Sequence, residues 1–231
     1  MKNIVIIPAR GGSKRLPGKN IKPFAGNPLI AYTIKYAKLQ SEISKIVVST
    51  DDEKIKRIAL DMGVEVIDRP SEISGEHATT ASALKNVLLS YAKQGIEFDT
   101  VTTLQVTNPL RPQSLFNECM ALINKHPDAD SVISVTRSRM KLGNIENDLF
   151  VPSNYLPGQR SQDLKAQYFE NGLCYITRSA LILDQEDIFG KCVLAYEVDE
   201  HFPIVDIDEQ RDFDWGEFTI KNNLDTFSYL L

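Results

Sequence analysis

Cations, glycines and carboxylates stand in this sequence at spacings that suit a polyphosphate. Arg10, Lys14, Arg15 and Lys19 fall within ten residues, around the adjacent pair Gly11-Gly12 and Ser13. Glycine lets a backbone approach an anion closely, and the cations neutralise it. Far along the chain, Asp206 and Asp208 flank Ile207. In a strand that spacing turns both carboxylates to one face. A cation relieves their repulsion, and hard oxygens suit Mg2+. The basic charge is local, because the whole chain of 231 residues carries a net charge of -5. That balance argues against a nucleic-acid binder and favours a small anionic ligand.

Such a loop needs a rigid element behind it. The apolar run at residues 4–7 reads as a buried strand that opens directly into the loop, and ligands gather at the carboxyl ends of strands in open α/β sheets. Short apolar strands then alternate with amphipathic helices. Helices are predicted at 29–40, 52–62, 79–93, 114–125, from 179, and at 209–222. Strands are predicted at 45–50, 64–67, 100–106, 131–135, 173–177 and 193–198, with Gly63 closing the second helix. The alternation predicts a three-layer α/β/α fold around a mostly parallel sheet. It breaks across residues 136–170, a polar stretch too long for an idle loop, read as an excursion that covers the site or contacts a second subunit.

Two phosphate motifs are excluded. No Ser or Thr follows Lys14, as a P-loop requires, and the Rossmann Gly-x-Gly-x-x-Gly pattern is missing. Cys119, Cys174 and Cys192 are odd in number and widely spaced, which fits reduced thiols better than a disulfide framework or zinc site. His77, His126 and His201 read as surface or packing residues. No apolar stretch is long enough to span a membrane and no secretory pattern opens the chain, so a cytoplasmic protein is expected.

In these motifs the sequence resembles the acylneuraminate cytidylyltransferases, also called CMP-sialic acid synthetases. The first loop carries the likeness, and ordered matches continue to the last helix. They are Arg69-Pro70 with Glu72, Leu104-Gln105 through Pro109-Leu110-Arg111, Gln162-Asp163-Leu164 with Tyr168, Asn171-Gly172 with Tyr175, and Asp206-Ile207-Asp208. The chain departs at Val106-Thr107-Asn108-Pro109, where the family usually has Pro-Thr-Ser-Pro. It departs also at Ser161, where an arginine is usual, and at Lys165, where a proline is usual. Arg160 is the candidate replacement for that arginine.

The resemblance implies a nucleotide-diphospho-sugar transferase type of fold, in a single domain with 136–170 as a dimerisation and sugar-covering insertion. It implies coupling of CTP to a nine-carbon α-keto sugar acid, N-acetylneuraminic acid or a bacterial analogue such as legionaminic acid, with pyrophosphate released. Arg10, Lys14 and Lys19 match triphosphate-binding positions, within a nucleotide loop that also includes Ala9, Gly11, Gly12 and Ser13. Asn20, Arg69, Thr80 and Gln105 match further nucleotide contacts. Gln105, Arg160, Asn171 and Tyr175 fall on the sugar side, and Asp206 and Asp208 on the Mg2+ site. Arg15 is read as facing solvent. A homodimer is implied, with no nucleic-acid or membrane partner. The alternatives are a cytidylyltransferase for the eight-carbon 3-deoxy-manno-octulosonate and a non-catalytic nucleotide sensor on the same fold.

Overall fold

Ile4, Val5, Ile6 and Ile7 are sealed from solvent on both faces of their strand. Val5 and Ile7 pack into one apolar cluster, while Ile4 and Ile6 pack into another. One strand thus serves two cores, as a sheet covered on both sides demands. A computed structural model describes residues 1–231 apart from Lys14, Glu76, His77, Glu200 and Ile204.

The strands are β1 (Asn3–Pro8), β2 (Pro23–Phe24), β3 (Asn27–Pro28), β4 (Lys45–Thr50), β5 (Glu65–Asp68) and β6 (Thr100–Thr103). After them come β7 (Ser131–Ser138), β8 (Gly143–Glu146), β9 (Leu149–Pro152), β10 (Gln167–Arg178) and β11 (Val193–Glu197). The helices are α1 (Leu29–Lys38), α2 (Glu53–Asp61), α3 (Thr80–Ala92), α4 (Leu115–Lys125), α5 (Ser179–Gln185), α6 (Gln210–Asn222) and α7 (Leu224–Phe227). Seven strands form the central sheet in the order β11-β7-β10-β6-β1-β4-β5. All neighbours run parallel except β10, which is antiparallel to both β6 and β7. Side chains from α1, α4 and α6 fill the cluster on one face; those of α3 and α5 fill the other. This is the expected three-layer arrangement.

Three expectations are corrected. The stretch 136–170 is not irregular: β7 runs on to Ser138, β8 and β9 form a hairpin, and β10 begins at Gln167. Its polar sequence masked these strands because they are largely exposed, without the apolar alternation a half-buried strand shows. The strand at 100–106 stops at Thr103, so Gln105 lies in a turn. Asp206 and Asp208 do not lie in a strand but in the segment leading to α6. Ile207 is nevertheless buried there, with its N–H given to the Thr107 carbonyl at 2.8 Å, so the two carboxylates still flank one inward-facing residue.

Candidate active site

The carboxyl ends of β1, β5 and β6 open onto a cleft of about 890 Å3. Its walls include Arg10, Lys19, Asn20, Arg69, Gln105 and Asp208, with Gly12, Ser13 and Thr80 also lining it. Residues separated by almost the whole chain therefore converge, as the sequence predicted. Lys14 lies outside the described residues, as does His77.

Each cation is held by a specific acceptor. The Arg10 guanidinium donates to the Gly75 carbonyl at 2.9 Å, and Arg69 Nε to the Ile73 carbonyl at 2.6 Å. Arg69 is buried; desolvation lowers its pKa, Arg10 adds to the fall, and the Asp51 charge opposes it. Lys19 Nζ donates to the Ile207 carbonyl at 2.7 Å and to Asp208 Oδ1 at 3.0 Å. Arg15, expected in solvent, instead pairs with Asp208 Oδ2 at 2.9 Å while staying largely exposed. The Asp208 carboxylate beside the loop thus holds two cations, one on each oxygen.

Several residues read as ligand contacts have polar groups already engaged within the protein. Ala9 gives its N–H to the Ser49 carbonyl, and Gly11 gives its own to Asp51 Oδ1, both at 2.9 Å. The Asn20 amide donates to the Arg10 carbonyl at 2.9 Å, so it fixes the loop's curvature. Buried Asn171 receives Ser134 Oγ at 2.6 Å and the Leu173 N–H at 3.1 Å, and donates to Thr136 Oγ1 at 3.1 Å. Its side chain pins the register slip that β10 makes against β7 between Glu170 and Tyr175. Tyr175 is buried, donates to Glu170 Oε1 at 2.5 Å, and has its pKa raised by desolvation and then by Glu170. Arg160 sits on the exposed excursion, paired with Asp163 at 2.7 Å and apart from the cleft lining.

Asp206 and Asp208 differ in their surroundings. Asp206 has its pKa raised, first by desolvation of its carboxyl and then by the Asp208 charge; a Thr107 hydrogen bond and Lys19 offset part of this. Two carboxylates that repel across one residue offer hard oxygen donors, although Lys19 and Arg15 hold both oxygens of Asp208 and an ion would have to displace them. Among the described residues no three His, Cys, Asp or Glu side chains converge as a closed metal cage. A divalent ion held here would share its shell with phosphate oxygens and water, as Mg2+ commonly does. The residues present fit that ion.

The sequence signalled no role for Arg111. It is wholly buried, with Nε on the Leu173 carbonyl at 2.7 Å, one terminal nitrogen on the Gln105 carbonyl at 2.5 Å and the other on Thr33 Oγ1 at 3.2 Å. Burial lowers its pKa to about 10. One guanidinium thus ties the Gln105 turn to the bend that holds Asn171.

An α/β sheet with a basic glycine loop at its carboxyl edge, and with Asp208 from the far end of the chain beside that loop, defines a nucleotide-handling protein. A family model described as Cytidylyltransferase matches residues 4–223, and the chain belongs to that family. It is 36% identical over 220 residues to the N-acylneuraminate cytidylyltransferase of Streptococcus agalactiae serotype III (strain NEM316), covering 92% of this chain and 52% of that protein. The chain thus spans about half the length of such curated relatives. It is 31% identical over 228 residues to a pseudaminic acid cytidylyltransferase of Campylobacter jejuni (strain 81-176), covering 96% of this chain and 98% of the other. Among solved structures, a CMP:2-keto-3-deoxy-manno-octonic acid synthetase complexed with CTP aligns over 96% of this chain and 99% of its own, with a TM-score of 0.73 at 16% identity. That last likeness speaks for the fold.

Proposed function

We propose that the protein transfers a cytidylyl group from CTP to a nine-carbon α-keto sugar acid, giving the CMP-sugar and pyrophosphate. One observation carries the reading: Arg10, Arg15 and Lys19 of the first loop and Asp208 line one cleft from opposite ends of the chain. The relatives named N-acylneuraminate and pseudaminic acid cytidylyltransferase support the nine-carbon class over the eight-carbon one.

In this reading Arg10 and Arg69 grip phosphate oxygens, with the bidentate geometry a guanidinium supplies. Lys19, with Lys14 beside it in sequence, offsets charge that builds on the departing pyrophosphate. Thr80 and Gln105 bound the nucleotide's share of the cleft. The anomeric oxygen bonds to the α-phosphorus and gives up its proton to water, while the bond from that phosphorus to the bridging oxygen breaks and pyrophosphate leaves with that oxygen. Asp206 and Asp208 would hold Mg2+, which when bound supplies charge neutralisation and acidifies an oxygen it contacts. Most of the acceleration then comes from positioning and fixed charge.

The protein acts as a homodimer in this proposal, with the β8–β9 excursion as the contact region and Arg160 turned toward the partner's sugar. Exposed Met140, Ile145, Leu149 and Leu156 on that excursion support the reading. No helix among the described residues is long and apolar enough to cross a membrane.

Pyrophosphate release across a panel of sugar acids tests the assignment. Release from CTP should require both Mg2+ and a nine-carbon acid. Asp208→Ala should lose about a hundredfold or more of it while melting cooperatively. CTP binding with no turnover on any acid would instead make the protein a sensor, and turnover only on the eight-carbon acid would reassign the substrate.

A further inference from the structure

Four consecutive residues at the end of β4 grip the two segments that carry the cleft's arginines. The Ser49 carbonyl accepts the Ala9 N–H at 2.9 Å, and the Thr50 carbonyl accepts the Arg69 N–H at 2.8 Å. Asp51 Oδ1 accepts the Gly11 N–H at 2.9 Å. Asp52 caps α2 through the amides of Lys54 and Ile55, at 2.8 and 2.9 Å. Its side chain presses on Gly11 so closely that a Cβ there would lie 2.8 Å from Asp52 Oδ2.

We propose that Asp51 is a positioning residue: its carboxylate latches the Gly11 amide and so sets the first loop in the form that receives the triphosphate. The role rests on the reading of the cleft as a CTP site. A glycine-loop amide is ordinarily a phosphate donor. Here the Gly11 amide is taken by an acid, so the phosphate-facing backbone begins at Gly12 and Ser13, both of which line the cleft. The latch is made from one side by a hydrogen bond and from the other by steric contact, which leaves the loop one seat. Asp51 also places a negative charge near Arg69, opposing the repulsion that the Arg10 guanidinium exerts on it.

The two halves of the role separate chemically. Asparagine keeps an oxygen acceptor for the Gly11 amide and loses the charge; alanine loses both. Amide exchange at Gly11, followed by NMR, reads the latch itself. Calorimetric CTP titration in Mg2+ reads its effect on binding. Asp51→Ala should speed Gly11 exchange about tenfold and weaken CTP by a similar factor, the worth of one charge-assisted hydrogen bond. Asp51→Asn should stay within about threefold of the parent in both. The kcat at saturating CTP should hold in both variants, with the loss confined to KM.

An Asp51→Ala protein that keeps slow Gly11 exchange, or binds CTP as tightly as the parent, overturns the proposal. So does an Asp51→Asn protein that fails as badly as the alanine variant. If Asp51→Ala does not fold, Gly11→Ala supplies the test, because its Cβ displaces the loop from Asp52 while leaving Asp51 intact; unchanged CTP affinity there is equally fatal. A parent protein that binds no CTP defeats the cleft assignment and the positioning role together. Gly11 exchange would then still report whether the latch exists.

Discussion

Asp208 shows how a single residue's partners follow from charge. It takes Lys19 on one oxygen and Arg15 on the other. Among the described residues Asp206 forms no such pair, and its charge is disfavoured. A carboxyl raised above its ordinary 3.8 in the folded chain binds its proton more tightly there than when unfolded. Its contribution is therefore present in acid and is lost as pH rises from the unfolded value through the folded one. Asp206→Asn removes the charge that becomes unfavourable. Without metal it should melt about 1–3 °C above the parent at pH 7, small because solvent screens the site, and the gain should vanish near pH 3.5. Thermal scans at the two pH values check the sign; a variant that melts lower at pH 7 contradicts it. Mg2+ should raise the melting point of the parent more than that of the variant.

Among elements, the bend in β10 is the one that holds Asn171 and Tyr175, the residues that the resemblance puts on the sugar side. Gly172 sits there at a φ of +74°, and a Cβ would lie 2.6 Å from Asn108 Oδ1. Asn108 is buried and donates to the Asn171 carbonyl at 3.2 Å, so it has little room to yield. Gly172→Ala should cost about 1–3 kcal/mol, the sum of a left-handed alanine and a tight contact. Calorimetry should then show a melting point lower by on the order of 5 °C. The sugar-acid KM should rise more than the CTP KM, because the bend carries Asn171 and Tyr175 while the first loop stands elsewhere. The sequence already carried the sheet, the alternating helices and the convergence of Arg10, Lys19, Arg69, Gln105 and Asp208. It was silent on the β8–β9 hairpin, whose exposed strands leave no apolar period to read. It was equally silent on where a second hydrogen bond goes. Asn20 and Asn171 match ligand-contacting positions through the resemblance, and tertiary partners also engage both; Arg15 looks free until a loop 193 residues on brings Asp208 to it.

At the scale of the molecule, the excursion is the least self-sufficient part. Ile145 is 79% exposed and Leu149 69%, on a two-stranded hairpin that joins no larger sheet, and Leu156 just after it is 75% exposed. Apolar groups concentrated in this way mark an association surface more often than a solvated one. Ile145→Glu with Leu149→Glu should convert the proposed dimer to a monomer in sedimentation velocity while leaving the melting transition cooperative. A parent that sediments as a monomer at all concentrations would refute the dimer. The sheet order has a further consequence, in time. β1, β4, β5 and β6 are complete once residue 103 has emerged, but β6 gains its other neighbour only with β10, whose residues begin at 167. During synthesis the β6 edge stays open for that interval, and an open edge invites foreign strands. Lys19 waits longer still for Asp208, 189 residues away. At ordinary translation rates that wait is on the order of ten seconds or more, so the cleft is born late, after the scaffold that frames it has had ample time to set.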